Sequence, residues 1–559
     1  MPKKYLTPYT FNSWGFIAVF FAALAPALSW PQFSGDSEDL LVQTTLEMRH
    51  GGPWWVPTLG GVPRTRKPPL PAWITASAVS DATVRDLSHP DPAIRDAAYQ
   101  RLAFQVRWPA LLAGALMLLV IARLAEVIGG PAHVLPAVLI AGTTLLLIRF
   151  IRSATTDVYL ALWVTVANAC LVEAVLRGRR WAGCLGAGVA VGLAILSKGP
   201  VAIVQTVLPI LVFAGMARNA RFSIPSSRQV KWLWPSLAGI AVMLTVALPW
   251  FVITAIRDPN SLAIWTAELN RADHVTLARD PWYGYISFVP NLLPWIPLYL
   301  GGFYISLQGL FRRRPIGLAF LLVFVPILVL SFFHDRKERY LLPLIGPAAV
   351  LAAHAAVRLK RAWPPRKIDA QVAWWAHWAI LAGFAIGLPM LGALRLQSAD
   401  GGHWYSPRFA WAAGGMGLAT VVAGLMLQRR HRLSFVITGA ALTLAFNLLF
   451  LRGWSASAEG RSEMKPVADR IRDTVAGGRV VYYDPPPGGK PVTLDLDIYL
   501  NRSVQVLAEP PSSAAYGGVS AVVVLRRDRD PEPRFVGWKT AFDLLSRTHH
   551  WYVLVPSPG

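Results

Sequence analysis

Cysteine is nearly absent from these 559 residues: there are two, Cys170 and Cys184, both within or beside apolar segments. A disulfide framework is therefore not expected, nor is a cysteine-based metal site. Acidic residues are scarce too, with 31 Asp and Glu against 54 Lys and Arg. That balance, +23, could suggest a nucleic-acid partner. However, the basic residues form no single patch or arm, and no nucleic acid is expected. No G-x-x-x-x-G-K-S/T pattern occurs, so the glycines after Pro485 are not read as a phosphate loop. His274 and His334 make no zinc spacing with the acids, and internal repeats are not evident.

What the chain does contain is apolar sequence. Hydrophobic residues make up 54% of it, in long runs from residue 13 to about residue 450. This excludes a soluble enzyme and predicts a polytopic all-α integral membrane protein. The first run, 11–30, follows Lys3 and Lys4 and lacks a small-residue cleavage pattern, so it reads as a retained first span with a cytoplasmic N-terminus. Twelve more are expected at 106–124, 131–150, 157–176, 181–197, 199–216, 233–256, 284–308, 316–333, 340–357, 374–395, 408–427 and 433–452, about 13 transmembrane helices in all. The loops that this count places inside include Arg177-Gly-Arg179-Arg180, Arg218 to Lys231, Arg312-Arg313-Arg314, Arg358 to Lys367 and Arg429-Arg430-His431-Arg432. All five are basic, as cytoplasmic loops should be. The turn around Arg123 and Glu126 is near neutral.

Residues 31–105 then form a first extracytoplasmic loop with interfacial helices, and 80–105 read as a polar helix on the outer surface. A second outer loop spans 257–283. Residues 1–455 make the membrane domain, and the composition turns polar beyond it. In 456–559, KPVADRIRDTV reads as a helix, RVVYYD, SVQVL, AVVVLR and WYVLV as strands, and AFDLLSRT as a helix. A small soluble C-terminal α/β domain follows, extracytoplasmic if the span count is odd.

The first outer loop, SGDSEDLLVQTTLEMRHGGPWWVPTLGGVPRTRKPPLPAW, is the most structured-looking polar stretch. Asp36, Glu38 and Asp39 precede an amphipathic run, paired tryptophans follow, and Arg64, Arg66 and Lys67 stand before Pro68-Pro69. On the same predicted face lie Asp157 after Thr155-Thr156, Lys198 in SKGP, and the cluster His334 to Tyr340. Basic residues on an outer face run against the positive-inside trend and call for an anionic partner such as phosphate. Each has a plainer reading. Asp157 could cap a helix, Lys198 could snorkel to the interface, and Glu268, His274, Trp282 and Tyr283 could be interfacial structure.

Taken in order, the loop with its LEM, HGGPWWVPTLGGVP and RKPPLPAW, then GLAILSKGPVA, LPWFVITAIRD with PWYGY, and KERYLLPLIGPAAVL, resemble the GT-C glycosyltransferases that use polyprenyl-phosphate sugars. The likeness is greatest to the lipid A aminoarabinose transferase and protein mannosyltransferase branch. The resemblance implies a GT-C fold and a bacterial inner-membrane enzyme with its active site in the periplasm. It would pass a sugar from a polyprenyl-phosphate donor to a lipid or protein acceptor among membrane lipids.

In that reading Asp36 is the general base, with Glu38 the alternative, and Asp157 is a second acid orienting acceptor or base. Lys67, Lys198, Arg336, Lys337 and Arg339 hold the donor phosphate, while Arg66, Glu268, Tyr283 and Tyr340 are possible substrate contacts. The family's first acid aligns with Ser37, between Asp36 and Glu38, so the base lies at either. No cofactor is expected, although the D-S-E spacing leaves a divalent metal open. The rival class is a transporter or flippase of a lipid-linked sugar, and a third is a catalytically dead scaffold.

Overall fold

The computed structural model describes residues 8–29, 33, 36–219, 226–274, 284–312, 314–332, 336–395, 405–449, 464–475, 479–483, 493–502, 504–507, 518–526, 535–545 and 550–557. In chain order, α1 is Pro8–Leu24 and α2 Asp36–Arg49; the hairpin β1 Thr58–Leu59 and β2 Val62–Pro63 follows, then α3 Leu70–Ala78, α4 Asp81–Asp86 and α5 Pro92–Gly129. Next come α6 Val134–Gly142, α7 Leu145–Ile151, α8 Thr156–Arg177, α9 Arg180–Lys198, α10 Val201–Asn219, α11 Ser226–Arg257 and α12 Ser261–His274. The helices α13 Ile296–Phe311, α14 Ile316–Leu330, α15 Ile345–Arg361, α16 Ile368–Arg395, α17 Pro407–Leu427 and α18 Ser434–Leu449 complete the apolar series. The last stretch holds α19 Met464–Thr474, β3 Arg479–Tyr483, α20 Thr493–Leu500, β4 Gln505–Leu507, β5 Val519–Arg526, β6 Trp538–Leu545 and β7 His550–Pro556. Two compact units result: residues 1–28, 65–71 and 107–456 in one, and 29–64, 72–106 and 457–559 in the other.

Among the described residues seven helices are long and apolar enough to cross a membrane, and nine if two bent pairs each count as one span. Four shorter apolar helices, Trp14–Ser29, Val201–Met216, Ile316–Leu330 and Ser434–Leu449, accompany them. Two expected spans are not straight. The run 131–150 bends by 60° between α6 and α7, and 284–308 bends by 119° between the 3₁₀ helix Gly284–Leu292 and α13. The breaks satisfy one another. Leu145 N donates to the Leu293 carbonyl at 3.1 Å, the buried Trp295 indole donates to Thr143 Oγ1 at 3.1 Å, and Thr144 Oγ1 pairs with the Tyr299 hydroxyl at 2.8 Å. Irregular backbone at membrane depth persists where protein groups replace water in this way.

One boundary differs from the sequence reading. The stretch 80–105 is not a separate surface helix, because α5 runs unbroken from Pro92 through Gly129. Its 38 residues give about 57 Å at the helical rise, well beyond a hydrocarbon core of about 30 Å. Only α4 stands apart, capped by Ser80 Oγ, which accepts the Thr83 N–H at 3.3 Å.

The membrane unit packs closely through small residues. A Cβ at Gly188 on α9 would meet the Gly239 carbonyl oxygen of α11 at 2.2 Å, and one at Gly302 on α13 would meet the Leu351 carbonyl of α15 at the same distance. Lacking a hydrophobic drive inside lipid, helices associate through such contacts.

The C-terminal sheet has the order β4-β3-β5-β7-β6. Pairing is parallel for β4-β3 and β3-β5 and antiparallel for β5-β7 and β7-β6. Its core is Val481, Val522, Val524 and Leu554 with Tyr552 and Trp538. The helix expected at AFDLLSRT is instead the greater part of β6, zipped to β7 with Thr540 opposite Leu554 and Asp543 opposite Tyr552. Good helix formers there yield to cross-strand pairing, which outweighs local propensity. The eight-residue α20, over a stretch that no expectation covered, completes the fold.

Candidate functional site

The ends of α8 and α9, the 3₁₀ helix that leads into α15 and the segment at Lys67 bring several of the candidate residues together. Asp157 lies in the first turn of α8, where an acid suits the free N–H groups, and Lys198 is the last residue of α9, where a cation suits the carbonyls. Gly199, at φ +101°, ends α9, and Pro200 follows. That turn fixes the lysine at the helix terminus.

The two side chains form an ion pair, the Lys198 ammonium donating to Asp157 Oδ1, with Asp157 2% and Lys198 14% exposed. Thr155 holds the N-cap position of α8 and makes no side-chain cap bond. The Asp157 carboxylate is thus engaged across helices with a lysine rather than spent on its own helix end.

Around the pair the charge is mostly positive. Lys67 and Arg339 both act electrostatically on Lys198. The Lys198 ammonium lies 5.0 Å from the centre of the Tyr340 ring, and the Arg339 guanidinium lies 6.0 Å from the same ring, both within cation–π range. Tyr340 belongs to the 3₁₀ helix Glu338–Leu344, which packs on α8 and leads into α15. Gln205 of α10 donates to the Tyr340 carbonyl at 3.4 Å and Asn168 of α8 donates to the Gln205 carbonyl at 3.3 Å. The aromatic platform is tied to two helices.

A second pairing went unread in the sequence. Glu338 accepts from Arg149 of α7 at 2.5 Å and from Asn291 Nδ2 at 2.8 Å. The signals were present: a lone arginine in the apolar run LLLIRFI and an acid inside the KERY string. With Glu338 so engaged, the cluster holds more basic than acidic charge, an arrangement that suits a bound anion.

The other candidates fall out as follows. Arg336 donates to the Ser331 carbonyl at 2.7 Å, Lys337 is exposed at the N-cap of the same 3₁₀ helix, and Arg66 is exposed beside Lys67. Thr65, two residues before Lys67, is buried and accepts the Trp265 indole N–H of α12 on its carbonyl at 2.9 Å, which anchors the KPPL segment.

In the second unit Asp36 begins α2, although its side chain lies outside the described residues, and Glu38 and Asp39 of the same helix are 1% and 4% exposed. Glu268 is on α12 with its side chain outside the described residues; Trp282, Tyr283 and His334 lie outside them entirely, and so does the His274 side chain. No three His, Cys, Asp or Glu side chains converge in metal-binding fashion among the described residues.

Comparison with known proteins agrees with this architecture. Residues 99–253 match the family described as dolichyl-phosphate-mannose-protein mannosyltransferase. An undecaprenyl phosphate-alpha-4-amino-4-deoxy-L-arabinose arabinosyl transferase of Edwardsiella ictaluri is 28% identical over 271 residues, 46% of this chain and 46% of that protein. One from Proteus mirabilis is 29% identical over 214 residues, 37% of each chain. The chain thus aligns with less than half the length of these relatives. In structure, ArnT from Cupriavidus metallidurans bound to undecaprenyl phosphate superposes with a TM-score of 0.70 at 17% identity, covering 96% of this chain and 97% of that one. Its apo form gives 0.69 at 16%, covering 97% and 98%.

The fold is therefore similar to that of ArnT from Cupriavidus metallidurans, with the described residues helical apart from the β1–β2 hairpin and the five-stranded terminal sheet. Over the matched segments the chain is similar to the aminoarabinose transferases and to the protein mannosyltransferase family.

Proposed function

We propose that the protein transfers a sugar from a polyprenyl-phosphate donor to a lipid, polysaccharide or protein acceptor on the extracytoplasmic side of the bacterial inner membrane, with inversion at the anomeric carbon. The observation that carries this reading is the gathering of Lys67, Lys198 and Arg339 with Asp157 and Tyr340 where α8 and α9 meet. A sugar linked to polyprenyl phosphate carries its own leaving group. Cations that neutralise the departing phosphate, and a carboxylate that takes the acceptor proton, are what such a reaction requires.

In this reading Lys67, Lys198 and Arg339 hold the phosphate, with Arg336 and Lys337 flanking it. Asp157 holds the Lys198 ammonium in place and stands as the second acid. Asp36 is the base, on the strength of the sequence resemblance, and Glu38 is the alternative two residues along α2. The bent helices and the four shorter apolar helices complete thirteen spans, with the N-terminus cytoplasmic and the C-terminal domain outside.

The test is turnover. Purified protein given a synthetic undecaprenyl-phosphate sugar and candidate acceptors should release undecaprenyl phosphate. Asp36→Asn should lower the rate by about 10²–10⁴ with donor binding retained, since the amide cannot take a proton. Translocation of intact donor across proteoliposomes without release would establish a flippase instead. Comparing glycolipids of the wild type and a deletion strain identifies the acceptor. The reaction as written uses no cofactor, and a chelator that abolished it would move the reading to a divalent metal.

A further inference from the structure

The second unit contains a buried polar pair that this chemistry leaves unused. Gln43 of α2 donates through Nε2 to Oδ2 of Asp497 on α20, a partner 454 positions away in the chain. The two residues are 3% and 4% exposed. The other carboxyl oxygen of Asp497 accepts the Val504 N–H at 2.8 Å. A carboxyl so deeply enclosed costs free energy unless its partners are exact, and an apolar pair would pack there at less cost. Its presence calls for a use.

The contact continues beyond the pair. Gln43 also donates to Glu47 Oε1 at 3.2 Å, and Glu47 accepts from Thr58 Oγ1 at 2.5 Å and from the Gly60 and Gly61 N–H groups at 2.6 and 3.3 Å. Arg64, just past that hairpin, donates back to α2 at the Leu40 carbonyl (3.0 Å) and Thr44 Oγ1 (2.7 Å). One hydrogen-bonded line therefore runs from the terminal domain through α2 into the β1–β2 hairpin, and the chain goes on from there to Lys67. Flanking it, the Tyr99 hydroxyl donates to the Tyr499 carbonyl at 2.5 Å, and Asn501 Nδ2 donates to Ser88 Oγ at 2.9 Å.

We infer that Asp497 is a positioning residue for glycosyl transfer: through Gln43 it fixes α2, so that the C-terminal domain sets the placement of the acids on that helix. The inference rests on the proposed function, which puts the base on α2. Burial pushes the Asp497 carboxyl up to about 8, against the hydrogen bonds from Val504 and Gln43. A neutral amide keeps the size of the carboxyl and the acceptor for the Val504 N–H but cannot accept from Gln43 on its other side, where Nε2 must stay to reach Glu47.

The experiment compares Asp497→Ala, Asp497→Asn, Gln43→Ala and the double alanine variant in the full-length protein, reading donor turnover and amide hydrogen exchange. Asp497→Ala should lower kcat about tenfold to a hundredfold, the scale of a small misplacement of a reacting group, with donor KM within about twofold. Asp497→Asn, which keeps the Val504 contact, should retain more of kcat than Asp497→Ala, and the double alanine variant should be no worse than the worse single one, since both remove one link. Exchange should quicken in α2 while the β5–β7 pairing stays protected. If Asp497→Ala loses that sheet protection, Gln43→Ala carries the same expectations from the other side.

An unmoved kcat in Gln43→Ala, or a raised KM at constant kcat, overturns the positioning role while leaving the transferase reading intact. A wild-type protein that releases no polyprenyl phosphate overturns both.

Discussion

Lys198 and Asp157 form an ion pair, and under the proposed function they also serve a third group. Asp157 is buried and Lys198 only partly exposed, so removing one leaves the other's charge enclosed with less compensation. Under the proposed function Lys198→Ala deletes a charge-assisted contact to the donor phosphate, a class worth about 1.5–3 kcal/mol, and should weaken donor use roughly tenfold to a hundredfold. Lys198→Arg should restore only part of it, because a planar fork does not reproduce a compact ammonium over the Tyr340 ring. Asp157→Asn should impair turnover although asparagine caps helices as well as aspartate does; full activity in that variant would return Asp157 to a capping role. The measurement is the donor-concentration dependence of both variants, with melting temperature as the control. Asp497 makes a prediction of a different kind. Its carboxyl is raised by burial from 3.8 to about 8, with Glu47 of α2 adding to the rise. The unfolded chain therefore releases this proton first, and the stability that the neutral carboxyl supports is fully present below about pH 4 and is lost as pH rises toward and through 8. Asp497→Asn should flatten that portion of the melting-temperature profile between pH 5 and 8; an unchanged profile would mean that the buried carboxyl is already ionised.

At the level of elements the close helix crossing makes the sharpest demand. Gly188 of α9 and Gly239 of α11 face each other, each blocked by backbone: a Cβ on Gly239 would sit 2.5 Å from the Cys184 carbonyl oxygen. Backbone cannot yield as a side-chain tip can, so Gly188→Val should separate the two helices. It should lower the melting temperature of the purified protein by several degrees and reduce activity through the displaced end of α9, where Lys198 sits. Gly215 of α10 meets nothing within 4 Å, so Gly215→Ala should be silent; equal effects at both positions would show that the crossing is loosely packed. The elements also show what sequence can convey. Apolar runs near twenty residues and their basic ends are composition, and they were readable. Local strings also single out Asp157, Lys198 and Tyr340, which the structure places beside one another. The breaks at Thr143–Thr144 and Leu293–Trp295 were not readable, since hydropathy is blind to direction. The Arg149–Glu338 pair joins residues that only the fold brings together. At β6 a helix-forming string becomes a strand because β7 is its neighbour in space, information that no local window holds.

For the whole molecule, the distribution of charge is what the proposed orientation rests on. The ends of α8 and α9 bearing Asp157 and Lys198 lie at one terminus of their helices, and the basic Arg177–Arg180 turn lies at the other. Likewise Arg339 opens the Glu338–Arg361 span while Arg358, Lys360 and Arg361 close it. All three spans therefore separate the candidate phosphate cluster from the densely basic turns by the length of a helix. In the proposed orientation the latter face the cytoplasm, in keeping with the positive-inside trend. Single cysteines at Arg66 and Asp258 should then react with a membrane-impermeant maleimide in intact spheroplasts, and those at Arg179, Arg312 and Arg430 should react only after permeabilisation. Each of the three inner positions follows a different number of spans. Labelling of Arg312 from outside while Arg179 stays protected would locate an error between them, in the helices α9 to α13. If all five reversed together, the orientation would be inverted, and a donor presented from the cytoplasmic leaflet would have to replace the one proposed.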